Sequence, residues 1–329
     1  MKVLLLSESE VSSLLCMNEV IEALEVAFKE YADARVQMPP KNYIFYPTYN
    51  GDLRTMPCYL ERLEISAVKI VNAYPQNRER FDLPTVMATI ILNDPKNGSP
   101  LAVMAGNSIT AMRTGAAGGI ASKYLARKDP SVVGLVGAGV QSRTQLLALV
   151  SLYKNLEEVR VWDISPAAKE AYVNEMQPKL DRPKIVCVDD VHDAVTGADI
   201  VVTTTPSKKP LVKSEWISEG THINCIGADA PGKEELDLEI LKRAKIVVDS
   251  WEQASHSGEI NVPLTKGVIT KRDIWAEMGE IVAGLKPGRT SDQEVTLFDS
   301  TGLAIQDAVT AHLAYNKALR SKVGHFIDM

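Results

Sequence analysis

One stretch of the sequence, residues 132–163, limits the possible folds more than any other. The apolar run Val132–Val136 ends in Gly137-Ala138-Gly139, an amphipathic segment follows, and a second β-rich run ends on Asp163. A strand, a glycine-rich turn, a helix, a second strand and an acid are, in this order, the parts of a dinucleotide-binding βαβ unit. The stretch therefore predicts an α/β fold with a doubly wound parallel sheet, the Rossmann type.

The same stretch indicates which dinucleotide would bind. Gly137 allows a tight turn, and Gly139 lets the backbone approach a pyrophosphate at the positive N-terminus of the helix. Asp163 can accept the ribose hydroxyls and would repel a 2′-phosphate, so NAD is favoured over NADP. Ser142 replaces the third glycine of the fingerprint and is small enough for close packing. The alternative is an ordinary βαβ turn whose glycines serve geometry alone.

Composition excludes several classes of function. The chain has 329 residues, which favours two domains, and its net charge of −6 argues against nucleic acid as a main partner. No apolar run is long enough to cross a membrane, and the cysteines and histidines show no metal-ligand spacing. We therefore expect a cytoplasmic protein with no catalytic metal.

The chain on either side of this unit has a different pattern. Residues 18–34 form an amphipathic stripe, and Asn50-Gly51 and Asn97-Gly98 are hairpin signals between strands of an antiparallel sheet. The final helix, residues 303–319, is expected to pack back on this α+β part. The predicted domains are residues 1–128 with 306–329, and residues 129–305.

From residue 131 onward, predicted strands and helices alternate, with helices that include residues 234–244 and 274–285. Ligands of such sheets bind at the carboxyl ends of the strands. Three turns at these ends are candidate cofactor contacts: Thr204-Thr205, Gly227-Ala228-Asp229 and the turn that contains Ser300. Asp229 could serve as an acid or base or hold an amine, or it could only cap the helix predicted from Glu234.

The first domain carries a set of cations that suits a carboxylate substrate. Lys69 interrupts an apolar strand, Arg54 lies on a hairpin strand, Lys41 follows two prolines, and Arg113 lies on a helix rich in glycine and alanine. Guanidinium and ammonium groups bind carboxylates, and a desolvated lysine near other cations has a lowered pKa that suits proton transfer. Each residue alone is more often a solvated side chain or a surface ion pair. Glycines inside a helix cost stability, and a close approach of another group to the helix backbone would explain them.

Six stretches resemble the ornithine cyclodeaminase/mu-crystallin family. They are QMPPK (37–41), GDLRTMP (51–57), LPTVMA (83–88), residues 113–128, residues 202–250 and LFDSTGLAIQD (297–307). The resemblance covers nearly the whole chain and implies a homodimer. It also implies that the first domain binds substrate and forms the dimer interface, while the second binds NAD(P).

The resemblance further implies a role for each candidate residue. Lys69 is similar to the proton donor and acceptor beside the substrate, and Asp229 to the acidic partner near the reacting carbon. Substrate contacts are implied at Lys41, Arg54, Lys69 and Arg113. Cofactor contacts are implied at Arg113, Thr114, Val140, Gln141, Asp163, Thr204, Thr205 and Ser300.

The expected activity is the interconversion of L-alanine with pyruvate and ammonia, with NAD as cofactor. Ornithine-cyclising members of the family hold the distal amine with an acid where this chain has Arg54, so the cyclodeaminase alternative is disfavoured. A reductase of a cyclic imino acid, pyrroline-2-carboxylate, or of another short keto acid would use the same residues. A different class of function is an NADP(H)- and small-ligand-binding protein like mu-crystallin, against which Asp163 argues.

Overall fold

The computed structural model describes all 329 residues, Met1–Met329. Its internal contacts divide the chain into two compact units, Met1–Arg113 with Leu303–Met329, and Thr114–Gly302. The first unit is therefore built from both ends of the chain. The first division falls inside the helix Asn107–Leu125, earlier in the chain than the predicted boundary at residue 128.

The strands and helices are named in chain order. The strands are β1 (Lys2–Leu6), β2 (Val36–Gln37), β3 (Asn42–Tyr46), β4 (Gly51–Leu60), β5 (Ile65–Ala73), β6 (Val86–Asn93), β7 (Pro100–Ala105), β8 (Val132–Val136), β9 (Glu158–Trp162), β10 (Lys184–Cys187), β11 (Ile200–Thr203), β12 (Lys208–Val212), β13 (His222–Cys225), β14 (Glu234–Leu236), β15 (Lys245–Val248), β16 (Ile274–Glu277), β17 (Thr296–Asp299) and β18 (His325–Asp328). The helices are α1 (Glu8–Leu14), α2 (Met17–Ala32), α3 (Asn77–Phe81), α4 (Asn107–Leu125), α5 (Val140–Leu152), α6 (Pro166–Met176), α7 (Val191–Val195), α8 (Leu238–Arg243), α9 (Trp251–Ser257), α10 (Asn261–Thr265), α11 (Met278–Val282) and α12 (Ala304–Ser321).

The sheet of the first unit has the order β18-β1-β7-β6-β5-β4-β2, and β3 also pairs with β4. All its pairs are antiparallel except β1 with β7. The predicted hairpins are confirmed, since Asn50-Gly51 joins β3 to β4 and Asn97-Gly98 joins β6 to β7. Asn50 and Gly98 adopt the positive φ that such turns require.

One face of this sheet is covered by α12. Burial alternates along β5, so that Ile65, Ala67, Lys69 and Val71 share the buried face. Helix α12 packs on β4, β5 and β6 and against α2. Lys69 is therefore held between a sheet and a helix, where its side chain is almost fully buried.

The second unit contains an eight-stranded sheet of order β10-β9-β8-β11-β13-β17-β15-β16. All of its pairs are parallel, and buried apolar clusters lie on either side of it. The chain leaves β8 towards β9 and β10, then returns to place β11 on the other side of β8. The predicted doubly wound fold is confirmed, with its topological switch point between β8 and β11.

Two predicted helices are wrong in part. In the segment 234–244, Glu234–Leu236 is strand β14, which pairs with β12, and only Leu238–Arg243 is helical. In the segment 274–285, Ile274–Glu277 is the edge strand β16, which pairs with β15. In both segments, pairing with a strand distant in sequence overrides the local helical pattern.

The glycines of α4 mark a close approach, as expected. A Cβ at Gly115 would overlap the Thr144 carbonyl, and one at Gly118 would overlap the Gln145 side chain. Both neighbours belong to α5, so the missing side chains allow these helices to lie against each other. No helix of the protein is both long and apolar enough to cross a membrane.

Candidate active site

A buried group of charges lies in the first unit beneath α12. The side chain of Lys69, which is 1% exposed, places Nζ 2.7 Å from Oδ2 of Asp307 in the first turn of α12. Nζ also lies 3.5 Å from the Thr110 hydroxyl on α4. A β-strand, α4 and α12 therefore position this amine together.

Arg113 completes the group from α4. Its Nε donates to Oδ1 of Asp307 at 3.0 Å, and its Nη1 donates to Oε1 of Gln306 at 3.0 Å. One carboxylate thus bridges two buried cations. When Lys69 is protonated, the group carries one more positive than negative charge, which suits an anionic ligand.

The environment of Lys69 changes its proton affinity. Burial lowers the pKa of Lys69 to about 7; the Asp307 carboxylate opposes this change, and the positive charges of Arg113 and Lys41 add to it. The predicted lowering of the pKa is therefore present. It also shows that the structure brings Lys41 into the electrostatic neighbourhood of Lys69 and Arg113. An amine with this pKa can both accept and donate a proton near neutral pH.

Arg54, which was predicted to bind substrate, contacts residues of its own hairpin. Its Nε and Nη2 donate to the two carboxylate oxygens of Asp52 at 2.9 and 3.0 Å, and its guanidinium lies 5.4 Å from the Tyr43 ring centre. Because Met56 is paired with Lys69 and Arg54 lies two residues before Met56, Arg54 and Lys69 share a face of the sheet. A role for Arg54 in substrate binding remains a prediction.

In the second unit, the glycine turn lies at the switch point. Gly137 has a φ of +109°, and a Cβ there would lie 2.6 Å from the Thr204 hydroxyl, which itself donates to the Val136 carbonyl at 3.3 Å. A Cβ at Gly139 would meet nothing within 4 Å, so the space beside Gly139 is open. These are the tight turn and the cradle that a pyrophosphate needs.

Asp163 is connected to this turn. Its Oδ2 accepts the Ala138 N–H at 2.9 Å, and its Oδ1 accepts the Ser165 N–H at 2.9 Å. The acid that follows β9 is therefore fixed beside the glycine turn, where the ribose acid of the fingerprint is expected.

Helix α5 starts directly after the turn and has no side-chain cap at Gly139. Val140 in its first turn is exposed, and Gln141 is partly buried. Arg143, which is not among the residues predicted from the sequence, donates to the carbonyls of Ala138 and Gly139 at 2.6 and 3.0 Å. Its Nε also lies 2.6 Å from Oε2 of Glu175, so this carboxylate partly neutralises its charge.

The other predicted cofactor residues lie at neighbouring places in this unit. Thr204 and Thr205 follow β11, Gly227 and Ala228 follow β13, and Ser300 follows β17. Ser300 is buried, and its hydroxyl has no hydrogen-bond partner within the protein. Buried hydroxyls normally have a partner, so a ligand is a natural one for Ser300. The Thr114 carbonyl instead accepts from the Gln145 side chain at 2.8 Å.

Asp229 follows Ala228, but its surroundings are less enclosed than those of Lys69. Its side chain is 39% exposed and lies 2.5 Å from Nζ of Lys233. The alternative role, capping a helix that begins at Glu234, is wrong, because that segment is a strand and Asp237 caps α8. A catalytic role for Asp229 remains a prediction.

Asp307 and Gln306 belong to this buried group but are not among the residues predicted from the sequence. Both lie in the quoted stretch 297–307, and both are buried in the first turns of α12 among Ala304, Ile305 and Ala308. A carboxylate and an amide at buried positions of an apolar helix face are the signal that could have identified them, because such groups need partners.

The doubly wound sheet, with a glycine turn and an acid at its switch point, defines the Rossmann class of α/β proteins. Within that class, residues 1–322 match the sequence profile of the ornithine cyclodeaminase/mu-crystallin family. The chain belongs to this family, as the sequence resemblance predicted.

Individual relatives are similar over their whole length. The alanine dehydrogenase of Archaeoglobus fulgidus is 51% identical over 324 residues, which cover 98% of each chain. An archaeal alanine dehydrogenase dimer with bound NAD superimposes with a TM-score of 0.95 at 50% identity, covering 100% of both chains. The Δ1-pyrroline-2-carboxylate reductase of Thermococcus litoralis, in complex with NADH and L-proline, has a TM-score of 0.95 at 48% identity, covering 98% of this chain and 99% of that one.

Proposed function

We propose that this protein is an alanine dehydrogenase that interconverts L-alanine with pyruvate and ammonia. It is an NAD-dependent oxidoreductase of its family. The choice of alanine is supported by the 51% identity to the Archaeoglobus fulgidus enzyme. The observation that carries the catalytic proposal is the buried group in which Asp307 bridges Lys69 and Arg113.

The residues of the second unit fit NAD. The open space beside Gly139 and the uncapped start of α5 would take the pyrophosphate, and Asp163 would take the adenosine ribose. The unpartnered Ser300 hydroxyl offers a further contact. When bound, NAD supplies the hydride acceptor for alanine oxidation and the hydride donor for the reverse reaction.

The residues of the first unit would hold the substrate and manage its protons. Arg113 and Lys41 would bind the carboxylate, since both contribute positive charge around Lys69. Oxidation leaves an imine at Cα, to which water adds before ammonia departs. Nζ of Lys69 would take the proton from that water and return it in the reverse direction. Asp307 would hold Nζ in place, and Asp229 would serve as the second acid or base.

The proposal is tested with a panel of substrates and the purified protein. The change in NADH is followed with pyruvate plus ammonia, with pyrroline-2-carboxylate, with ornithine and with other short keto acids. We expect the highest kcat/KM with pyruvate plus ammonia. If pyrroline-2-carboxylate is used far better and alanine is not oxidised, the alanine assignment is wrong.

A reductase of pyrroline-2-carboxylate is the second candidate. It is favoured by the Thermococcus litoralis reductase, whose identity of 48% nearly equals the 50% of the archaeal alanine dehydrogenase structure. A cyclic imine also carries a carboxylate and an imine carbon, so the same buried group would serve it. The panel separates the two candidates because only one needs free ammonia.

We also propose that the protein forms a homodimer. The archaeal alanine dehydrogenase with 50% identity over the whole chain is described as a dimer. Sedimentation of the purified protein at micromolar concentration tests this, and a mass of one chain would contradict it.

A further inference from the structure

A buried carboxylate in the second unit joins two loops of the candidate cofactor site. Glu235 lies on β14 and is fully buried. Its Oε1 accepts the Thr205 N–H at 2.7 Å and the Thr205 hydroxyl at 2.6 Å. Its Oε2 accepts the Gly227 N–H at 3.1 Å. The loops that follow β11 and β13 are thus fastened to the same side chain.

Gly227 shows how tightly this arrangement is built. A Cβ at that position would overlap the Thr205 carbonyl and lie 2.5 Å from Oε2 of Glu235. The loop that contains Gly227 therefore lies directly against the loop that contains Thr205. Only glycine fits at position 227, because any side chain there would overlap the Thr205 backbone.

A second carboxylate holds the strand that carries Glu235. The Glu235 N–H donates to both oxygens of Glu259 at 2.9 and 3.1 Å. The Glu259 N–H in turn donates to Oδ1 of Asp299 at 2.9 Å, and Asp299 directly precedes Ser300. Since β11, β13 and β17 are neighbours in the sheet, this run of carboxylates connects three consecutive loops at its carboxyl edge.

These loops lie on the side of the switch point that belongs to the nicotinamide. Asp163 follows β9, on the other side of β8, and marks the adenosine half. In a doubly wound fold the two halves of a dinucleotide bind on either side of the switch point. We propose that Glu235 is a positioning residue for NAD, which fixes the Thr205 and Gly227 loops in the shape that the nicotinamide half requires.

The donors around Glu235 favour its ionised form and oppose the rise in its pKa that burial causes. Three donors converge on its two oxygens, and a carboxylate can accept from all three. A glutamine has one oxygen and one NH2 group, so at least one donor would face another donor. The substitution Glu235→Gln should therefore release one of the loops with almost no change of volume.

Asp199→Asn is the matched control. Asp199 accepts the N–H groups of Ser131 and Val132 at 2.8 and 2.9 Å, so it also fastens backbone with a carboxylate in the same unit. It precedes β11 and therefore lies at the opposite, amino edge of the sheet. Asp199 also pairs with Arg127, so the substitution should lower stability, but it should leave the cofactor loops in place.

The experiment measures NADH binding by fluorescence titration, together with the KM for NADH and kcat at saturation. We expect Glu235→Gln to raise the Kd and KM for NADH about tenfold, and kcat to change by less than about threefold. Asp199→Asn should bind NADH like the unsubstituted protein. Because NADH titration needs no substrate, its result stands even if the proposed substrate is wrong.

Two further variants keep the inference testable if Glu235→Gln does not fold. Glu235→Asp keeps the charge but is one methylene shorter, so it should weaken NADH binding by a smaller factor. Adding Thr205→Val to either Glu235 variant should cost less than Thr205→Val alone, because the hydroxyl acts through Glu235. NADH binding that is unchanged in the Glu235 variants, or equally weak in Asp199→Asn, would overturn the inference.

Discussion

The two units of the molecule bury charge in opposite ways. In the first unit, the side chains of Lys69 and Arg113 share the carboxylate of Asp307, and burial lowers the pKa of Lys69 to about 7. In the second unit, the carboxylates of Glu235, Glu259 and Asp299 accept mainly backbone N–H groups, and burial raises the pKa of each, that of Asp299 to about 8. Burial thus lowers the pKa of the amine and raises the pKa values of the acids.

The difference lies in what each partner can do during a reaction. A side-chain ion pair can rearrange when a charged ligand arrives, since each side chain has rotatable bonds. A backbone N–H that belongs to a loop cannot leave its carboxylate without moving the loop. We therefore assign proton transfer and substrate binding to the first arrangement, and shape to the second.

Loss of the Lys69 amine should have the largest effect. Lys69→Ala is expected to lower kcat for alanine oxidation by about 10² to 10⁴, the usual contribution of a general acid or base. NADH binding should stay within about twofold, because the cofactor is assigned to the other unit. The control is Lys96→Ala, which removes an exposed, ion-paired lysine of the same unit. Normal alanine oxidation by Lys69→Ala would refute the catalytic assignment.

Removal of the bridging carboxylate should alter the pH profile. Asp307 raises the pKa of Lys69 against the effects of burial, Arg113 and Lys41, so Asp307→Asn should lower that pKa further. The acid limb of kcat/KM for alanine oxidation, expected near pH 7, should move to lower pH, and activity should fall by about 10² because Nζ is no longer held.

The conservative variant separates this effect from simple damage to the fold. Asp307→Asn leaves Arg113 and Lys69 buried without their carboxylate, and breaking such a pair costs about 3–5 kcal/mol. Asp307→Glu keeps the charge, so its acid limb should stay close to that of the unsubstituted protein even if stability falls. An unshifted limb in Asp307→Asn would mean that Asp307 does not act on the amine.

Asp307 also shows why part of the site could not be predicted from the sequence. The glycine turn and Asp163 belong to one short βαβ unit, so one continuous stretch of sequence is enough to predict them. Asp307 lies 194 residues from Arg113, and only the fold brings them together. Strands β14 and β16 were missed for the same reason, since their partners β12 and β15 are separate segments. Lys69 could be identified because a charged residue is unusual in the middle of an apolar strand sequence.

The contributions of Lys69 and Asp299 to the free energy of unfolding should depend on pH with opposite sign. Between pH 7 and its ordinary pKa of 10.5, Lys69 binds fewer protons in the folded state, so its contribution to stability rises with pH. Between its ordinary pKa of 3.8 and about 8, Asp299 binds more protons when folded, so its contribution falls as pH rises. Each slope is at most about 1.4 kcal/mol per pH unit.

Denaturant unfolding at pH 5, 7 and 9 measures these slopes in Lys69→Met and Asp299→Asn. The charges that face Lys69 are Asp307, Arg113 and Lys41, and those that face Asp299 include Asp249 and Glu235. Relative to the unsubstituted protein, Lys69→Met should lose stability as pH rises above 7, whereas Asp299→Asn should gain stability as pH rises towards 8. Equal slopes in both variants would contradict the contrast between the units.

Substitution of Arg54 should have the smallest effect. It tests whether Arg54 binds the substrate together with Lys69, Arg113 and Lys41. Its guanidinium is paired with Asp52 but shares a sheet face with Lys69. If it also contacts the substrate carboxylate, Arg54→Met should raise the KM for the amino or keto acid about threefold to tenfold without changing the KM for NADH. Asp52→Asn, which breaks the pair but keeps the cation, should leave the substrate KM unchanged or lower it, because the guanidinium is then more available to the substrate. Equal rises in both variants would mean that the pair maintains the hairpin, and that the substrate group consists of Lys69, Arg113 and Lys41 without Arg54.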